Sequence, residues 1–281
     1  MLLSDKYPFL TNYFTEALTS TNRALPQSIL FYGNDLESQY ILANEIARYL
    51  NCKEDKSDNC ECLNCKWIKS HSHPAVMTIS RVDNKPEDDD SKTVISIKQS
   101  AMIKESLINS SEFHRVFIFC DKDDDGNILG LNQVNFQAET ANSLLKIIEE
   151  PQPGVTFIFL TRYIDDLLST IISRSQCFFV PSMTNRDYGY NSIIGIFDNY
   201  WEFERREVFD ISQKLQDLTK EISVDKILES IQNYILNVLK SNPTQIELIK
   251  HIQLIEEAKR QAKLGIKPVN IFDDLCLKLI K

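Results

Sequence analysis

Ile29-Leu30-Phe31-Tyr32-Gly33-Asn34-Asp35-Leu36-Glu37-Ser38-Gln39-Tyr40 is the stretch that decides the fold. Four apolar residues without alternation read as a strand buried on both faces. Gly33 marks a tight turn. Leu36, Tyr40, Ala43, Ala47 and Leu50 then recur at spacings of four and three, so the next element is a helix with one apolar face. Strand, glycine turn and helix are the parts of a phosphate-binding loop, G-x-x-x-x-G-K-[ST]. Gly33 fits the first position, but Ser38, Gln39 and Tyr40 stand where the Gly, the Lys and the Ser/Thr belong. The absent ammonium is the group that meets β- and γ-phosphates, and the absent hydroxyl is the one that holds Mg²⁺. Asp35 and Glu37 add negative charge where an anion would dock on the helix N-terminus. The expectation is a nucleotide-binding architecture with its nucleotide chemistry removed.

Outward from this loop the elements alternate. A strand is expected at Val76-Met77-Thr78-Ile79, a helix from Ile97 to Ile108, and a very apolar strand at Val116-Phe117-Ile118-Phe119-Cys120. A helix with Ala141, Leu144, Leu145 and Ile148 on one face must stop at Pro151, whose ring forbids continuation. Phe157-Ile158-Phe159-Leu160 and Cys177-Phe178-Phe179-Val180 are further strands. All-apolar runs separated by helices predict a parallel sheet covered on both faces. The charged loop Asp83–Lys92 is read as a solvated insertion. From about Tyr188 the periodicity is helical throughout, with Ile222, Ile227, Ile231, Ile235 and Val238, then Ile246, Ile249, Ile252 and Ile255, at helical spacings. The fold class is therefore α/β, with an all-helical domain behind it.

The apolar strand ending at Cys120 runs into Asp121-Lys122. In P-loop ATPases such a strand ends in Asp-Glu, the Asp on Mg²⁺ and the Glu orienting water. Lys122 replaces the glutamate, and an ammonium cannot act as that base. Asp121-Lys122-Asp123-Asp124-Asp125-Gly126 also matches the first half of an EF-hand loop, but Asn132 stands at the twelfth position, where a bidentate Glu is needed. A solvated acidic loop is the better reading.

Cys52, Cys60, Cys62 and Cys65 form a C-x7-C-x-C-x2-C cluster around a polar segment too short to bury itself. Four thiols so arranged suit a tetrahedral structural Zn²⁺, with free surface thiols as the alternative. The single residue between Cys60 and Cys62 is tighter than the common spacing. His71 or His73 is a possible substitute ligand, although His73-Pro74 reads more simply as a turn into the strand at Val76. Cys120, Cys177 and Cys276 sit in apolar runs and read as small core residues.

With 281 residues the chain has room for two or three domains. A formal charge of −9 argues against a broad nucleic-acid surface, which needs clustered Lys and Arg. No run approaches the roughly 20 apolar residues of a membrane span, and the start lacks a signal peptide's apolar region, so a cytoplasmic protein is expected.

Ala138-Glu139-Thr140-Ala141-Asn142-Ser143-Leu144-Leu145-Lys146-Ile147-Ile148-Glu149-Glu150-Pro151 resembles the A-x-N-A-L-L-K-x-L-E-E-P signature of bacterial clamp-loader AAA+ subunits. Phe157-Ile158-Phe159-Leu160-Thr161 is similar to the family's sensor-1 strand. Ile172-Ser173-Arg174-Ser175 is similar to its S-R-C motif, with Ser175 in place of the Cys. The four-cysteine excursion sits in the family's place as well. Ala262-Lys263-Leu264-Gly265-Ile266-Lys267-Pro268-Val269-Asn270 is a weaker likeness to the end of the collar domain.

The resemblance implies an AAA+ domain over 1–182 with a five-stranded parallel sheet and a zinc module at 52–65. A reduced lid or linker follows over 183–206, then a helical collar over 207–281. Two kinds of subunit share these motifs: a tau/gamma kind that hydrolyses ATP, and a delta-prime kind with a degraded loop that offers its S-R-C arginine to a neighbour. The chain resembles the second. That implies Arg174, with Ser173, as an arginine finger in trans, with an arginine paired to a structural carboxylate as the alternative, Thr161 as a vestigial sensor or a turn-capping hydroxyl, and no ATP in this subunit. The implied partners are tau/gamma and delta clamp-loader subunits, the sliding clamp, and primer-template DNA through the complex, a DNA-directed DNA polymerase as a whole. A tau/gamma-type ATPase and a zinc-dependent DNA-binding module remain as alternatives.

Overall fold

Strand β1 (Ser28–Tyr32) has its first four side chains buried, so it lies inside the sheet and not at its edge. The computed structural model describes residues 3–19, 24–87, 95–108, 110–123, 125–132, 144, 146–149, 152–182, 190–198, 200–241 and 247–280. Four more strands join β1: β2 (Val76–Ile79), β3 (Arg115–Phe119), β6 (Val155–Thr161) and β7 (Gln176–Phe179). The order is β2-β3-β6-β1-β7 and every pairing is parallel. The five-stranded parallel sheet expected from the apolar runs is therefore present. All seven residues of β6 are buried, as a central strand requires. A two-residue hairpin, β4 (Asp121–Lys122) with β5 (Ile128–Leu129), stands apart from the sheet.

Aromatic side chains fill both faces. Phe117 stacks on Phe157 at 5.5 Å and Phe119 on Phe159 at 4.7 Å, each pair opposite in the β3–β6 register. Elsewhere α1 (Pro8–Thr19) places Phe14 against Phe31 and Phe178. This helix opens with Pro8, whose fixed φ and missing N–H suit a first helical turn. The connection from β1 runs to β2 at the far edge, whereas β6 passes over β1 to reach β7. Such a reversal leaves a crevice beyond the carboxyl ends of the central strands, the usual ligand position of open α/β sheets. Gly33, Asp121 and Thr161 all follow or end those strands.

Helices α2 (Leu36–Asn51), α3 (Leu63–Lys69) and α4 (Ile97–Ile108) complete the described helices before β3, and a single turn, α5 (Ser169–Ile172), precedes β7. Most of Ala138–Pro151 lies outside the described residues. Within it, residues 146–149 are helical, and Leu144 and Ile148 are buried in the core with Phe117 and Phe157.

The chain divides into two compact units, Met1–Val180 and Pro181–Lys281. The second holds α6 (Tyr190–Phe197), α7 (Val208–Leu218), α8 (Val224–Ser241), α9 (Glu247–Lys263) and α10 (Pro268–Leu279), with no strand among its described residues. Ile227, Ile231 and Ile235 are buried along α8, and Ile252 and Ile255 along α9. Helix α7 packs on α10 and α8 on α9. Residues 183–189, the start of the stretch 183–206 read as a reduced lid, lie outside the described residues, and α6 occupies its middle. No helix among the described residues is long and apolar enough to cross a membrane.

Candidate functional site

The loop keeps its glycine for a steric reason. Gly33 has φ +129°, and a Cβ there would lie 2.2 Å from the main-chain oxygen of Val180. Its N–H points into the protein, to Thr161 O at 3.2 Å and Arg162 O at 3.0 Å, and so is not offered to a ligand. Gln39, at the lysine position, is fully buried. Its Nε2 donates to Gly33 O at 2.8 Å and Thr161 O at 3.1 Å, which ties the loop to β6. Ser38 lies in the first turn of α2. Tyr40, at the Ser/Thr position, turns away toward β2, its hydroxyl 3.1 Å from Thr78 Oγ1.

Asp35 is the N-cap of α2. Its Oδ1 accepts Ser38 N at 3.1 Å, and its Oδ2 accepts Ser38 Oγ at 2.8 Å and Tyr7 OH at 2.6 Å. Lys6 Nζ forms an ion pair with the same oxygen. Burial raises the pKa of this carboxyl, but the bonds from Lys6, Tyr7 and Ser38 outweigh it and hold it below the ordinary aspartate range.

The second half of the site is closed by salt bridges. Asp121 Oδ1 accepts Arg81 Nε at 2.7 Å and Lys122 N at 2.9 Å. A carboxylate engaged by a guanidinium is poorly placed to hold Mg²⁺. Lys122 Nζ reaches Asp83 Oδ2 at 2.9 Å and lies 5.0 Å from the centre of the Tyr40 ring. Burial works against this ammonium, and Asp83 outweighs it, so Lys122 stays charged. The start of the charged loop is therefore structural: Asp83 also accepts Ser80 Oγ at 2.9 Å. Thr161 Oγ1 donates to Leu131 O at 2.8 Å and Tyr163 O at 3.0 Å, the turn-capping alternative read from the sequence. The acidic hairpin is closed by its own carboxylate, Asp123 accepting Asn127 N and Nδ2, each at 2.8 Å.

The four cysteines converge. Their Sγ atoms all lie within 4.8 Å of one another, with Cys52–Cys60 at 3.6 Å and Cys52–Cys62 at 3.9 Å. Four sulfurs about 2.3 Å from a tetrahedral Zn²⁺ stand roughly 3.8 Å apart, so the donor set fits a metal such as zinc. The short Cys60–Cys62 spacing is accommodated because Cys62 caps α3 and Cys65 lies in its first turn. Burial opposes a thiolate at Cys62, but hydrogen bonds from Cys65 bring that thiol down to about 7. Neither histidine joins the cluster. His73 Nδ1 accepts Ala75 N at 3.2 Å in the turn before β2, and His71 lies beside Tyr40. Cys120 and Cys276 are buried and Cys177 is half-buried.

Sequence reading missed the residue that organises this module. Arg48 is buried, bonded to both carboxylate oxygens of Glu45 at 3.0 Å, to Ser57 O at 2.7 Å and to Asp58 Oδ1 at 3.2 Å. It holds the loop between Cys52 and Cys60, where Lys56 adopts φ +58°.

Arg174 ends the turn after α5. It pairs with Glu149, and its guanidinium also donates to Thr170 O at 3.0 Å and Ser173 Oγ at 3.2 Å. Both members of the ion pair are partly exposed, at 35% and 45%. Ser175 Oγ lies 2.7 Å from Ser28 Oγ on β1, which fixes the start of β7. Lys6, Tyr7 and Arg81 had no sequence signal, and the pairing of Glu149 with Arg174 had none, because each partner is distant along the chain.

The family model described as DNA polymerase III, delta subunit, matches residues 8–184. The chain is 28% identical over 153 residues to DNA polymerase III subunit delta' of Bacillus subtilis, covering 54% of this chain and 41% of that protein. It is 27% identical over 140 residues to subunit delta' of Haemophilus influenzae, covering 48% and 36%. With DNA polymerase III subunit gamma/tau of Mycoplasma pneumoniae it shares 28% over 168 residues, 59% and 22%. The matches thus span less than half the length of each relative. A gamma subunit-related protein of Thermotoga maritima superposes with a TM-score of 0.40 at 14% identity, over 95% of this chain and 98% of that one, a likeness too loose to bear on the site.

The parallel five-stranded sheet and the glycine loop between β1 and α2 are those of an AAA+ protein of the clamp-loader group. Within that group the chain belongs to the DNA polymerase III delta-subunit family and is a delta-prime-like member of it.

Proposed function

We propose that this chain is a non-ATPase subunit of a DNA polymerase III clamp loader, helping place a sliding clamp on primed DNA. The observation that carries the reading is Gln39: the residue at the lysine position is buried and spends its amide on Gly33 O and Thr161 O. Asp121, engaged by Arg81, supports it from the other side of the site. Arg174, seconded by Ser173, is the group this subunit offers to ATP bound by a tau/gamma neighbour, where a guanidinium stabilises charge developing in phosphoryl transfer. The implied organisation is an AAA+ domain over 1–182, a reduced lid over 183–206 and a collar over 207–281 that assembles with tau/gamma and delta subunits in the cytoplasm. Cys52, Cys60, Cys62 and Cys65 hold a structural Zn²⁺, which ties the loop at 52–65 to α2 and α3.

Reconstituted complexes carrying Arg174→Ala test the finger. Clamp- and DNA-stimulated ATP hydrolysis should fall by on the order of 10³-fold at the dependent site. Unchanged hydrolysis removes the assignment. About one zinc per purified chain is expected. Similarity to gamma/tau subunits favours a second reading, an ATP-hydrolysing subunit. Saturable Mg·ATP binding by the isolated chain would support it over the first.

A further inference from the structure

Four thiolates around one Zn²⁺ leave a centre with two net negative charges, and burying such charge is costly unless hydrogen-bond donors or a cation face the sulfurs. Cys52, Cys60 and Cys65 are buried, and Arg48, on the last turn of α2, is a buried cation beside them. A guanidinium carries five N–H groups and no acceptor. Four of its bonds, each 3.2 Å or shorter, go to oxygen: two to Glu45, one to Ser57 O and one to Asp58 Oδ1. A longer contact of 3.4 Å reaches Lys56 O. The guanidinium is also hydrogen-bonded to the side chain of Cys65, the fully buried member of the cluster. Glu45 takes the Nε–Nη2 edge of the fork with both carboxylate oxygens, which fixes its plane in the interior. We infer that Arg48 is an outer partner of the metal centre, oriented by Glu45 and donating to Cys65 Sγ as a metal-bound thiolate. Carboxylate–histidine–zinc triads are built on the same plan, with the ligand's outer face held by a group that is itself held. This role rests on the reading that the four cysteines hold zinc, and adds a residue that tunes one of the sulfurs. Arg48 is a positioning residue, since it touches the ligand and not the metal. Because the same guanidinium holds Ser57 and Asp58, it joins the thiolate to the loop that carries Cys60.

The test loads the full chain with Co²⁺ in place of zinc, because the sulfur-to-cobalt charge-transfer absorption reports electron density on the thiolates. A hydrogen bond draws density from Cys65 Sγ, so Arg48→Met should move that absorption to longer wavelength. In the zinc-loaded protein, iodoacetamide should alkylate Cys65 at least about tenfold faster in the variant, read cysteine by cysteine in a mass spectrometer. Asp58→Ala removes a loop anchor and leaves the donor to Cys65 in place, so both readouts should keep their wild-type values. Should Arg48→Met fail to fold, Arg48→Met/Glu45→Met, which removes both buried charges together, serves in its place. A folded, metal-loaded variant in which either readout is unchanged overturns the inference, as does Asp58→Ala shifting both as far as Arg48→Met. Wild-type protein that takes up neither Zn²⁺ nor Co²⁺ through these cysteines overturns instead the zinc reading.

Discussion

Replacing Arg48 by Leu should cost about 3–5 kcal/mol, because it strands Glu45 in the interior. Arg48 and Glu45 have side chains only 1% and 6% exposed, joined by two parallel bonds of 3.0 Å. Removing one partner takes the opposing charge away from a buried carboxylate, a far larger penalty than losing an exposed pair. The same change removes the donor to Ser57 O, adding roughly 1 kcal/mol. Urea unfolding followed by Trp67 fluorescence in a Trp201→Phe background reads the first unit by itself. The double variant Arg48→Leu/Glu45→Leu supplies the discriminating arm. With no buried charge left it should recover most of the stability lost by the single variant. It should not recover metal retention, because the loop carbonyls of Lys56 and Ser57 still lack their anchor. A chelator competition should therefore show zinc held roughly 10–100-fold more weakly in both variants. A loss below about 1 kcal/mol in the single variant, or a double variant no better than the single, refutes the reasoning.

Gly33→Ala should lower Tm by about 5–15 °C, since its Cβ meets the main-chain oxygen of Val180 at 2.2 Å and neither backbone segment can swing aside; a scanning calorimeter decides it, and a shift within 2 °C counts against the geometry. Asp35 has a folded pKa below its unfolded value of about 3.9. Its stabilisation is therefore complete at neutral pH and is lost as pH falls through the folded pKa. Wild-type and Asp35→Asn proteins should differ in urea midpoint at pH 6 and converge in the acid range, and a gap that persists undiminished at pH 2 contradicts the assignment.

The layered fold was legible because burial on both faces leaves a plain signature: Ile29–Phe31, Val116–Phe119 and Phe157–Leu160 carry no polar residue to turn outward. The four-cysteine cluster was legible for a similar reason, since four cysteines within fourteen positions need no long-range information. Helix α1 went unread although Leu10, Phe14 and Ala17 mark its face and Pro8 its start. The partners in the site were illegible in principle. Nothing near Asp121 announces Arg81, forty positions earlier, and nothing near Asp35 announces Lys6. Residue loss at a motif is visible along a chain, whereas compensation for that loss is arranged across space.

That compensation follows a physical rule. A site shaped for a highly charged ligand leaves charges that water cannot fully solvate, and each such group costs several kcal/mol unless something pairs with it. Asp35, Asp121 and Lys122 have side chains 12%, 9% and 15% exposed, and each has acquired a partner: Lys6, Arg81 and Asp83. Restoring the loop lysine alone would therefore not restore the site, because Arg81 would still occupy the carboxylate needed for Mg²⁺. Arg174 differs in kind. Its pair with Glu149 is exposed on both sides, and such pairs are worth about 0–1 kcal/mol. On the proposed function, an arginine so held would leave its carboxylate at small cost for the denser charge of a neighbour's triphosphate. In the three locking pairs one member is largely buried, whereas in the Arg174 pair both are partly exposed; on the proposed function the first three would be locks and the last a rest position.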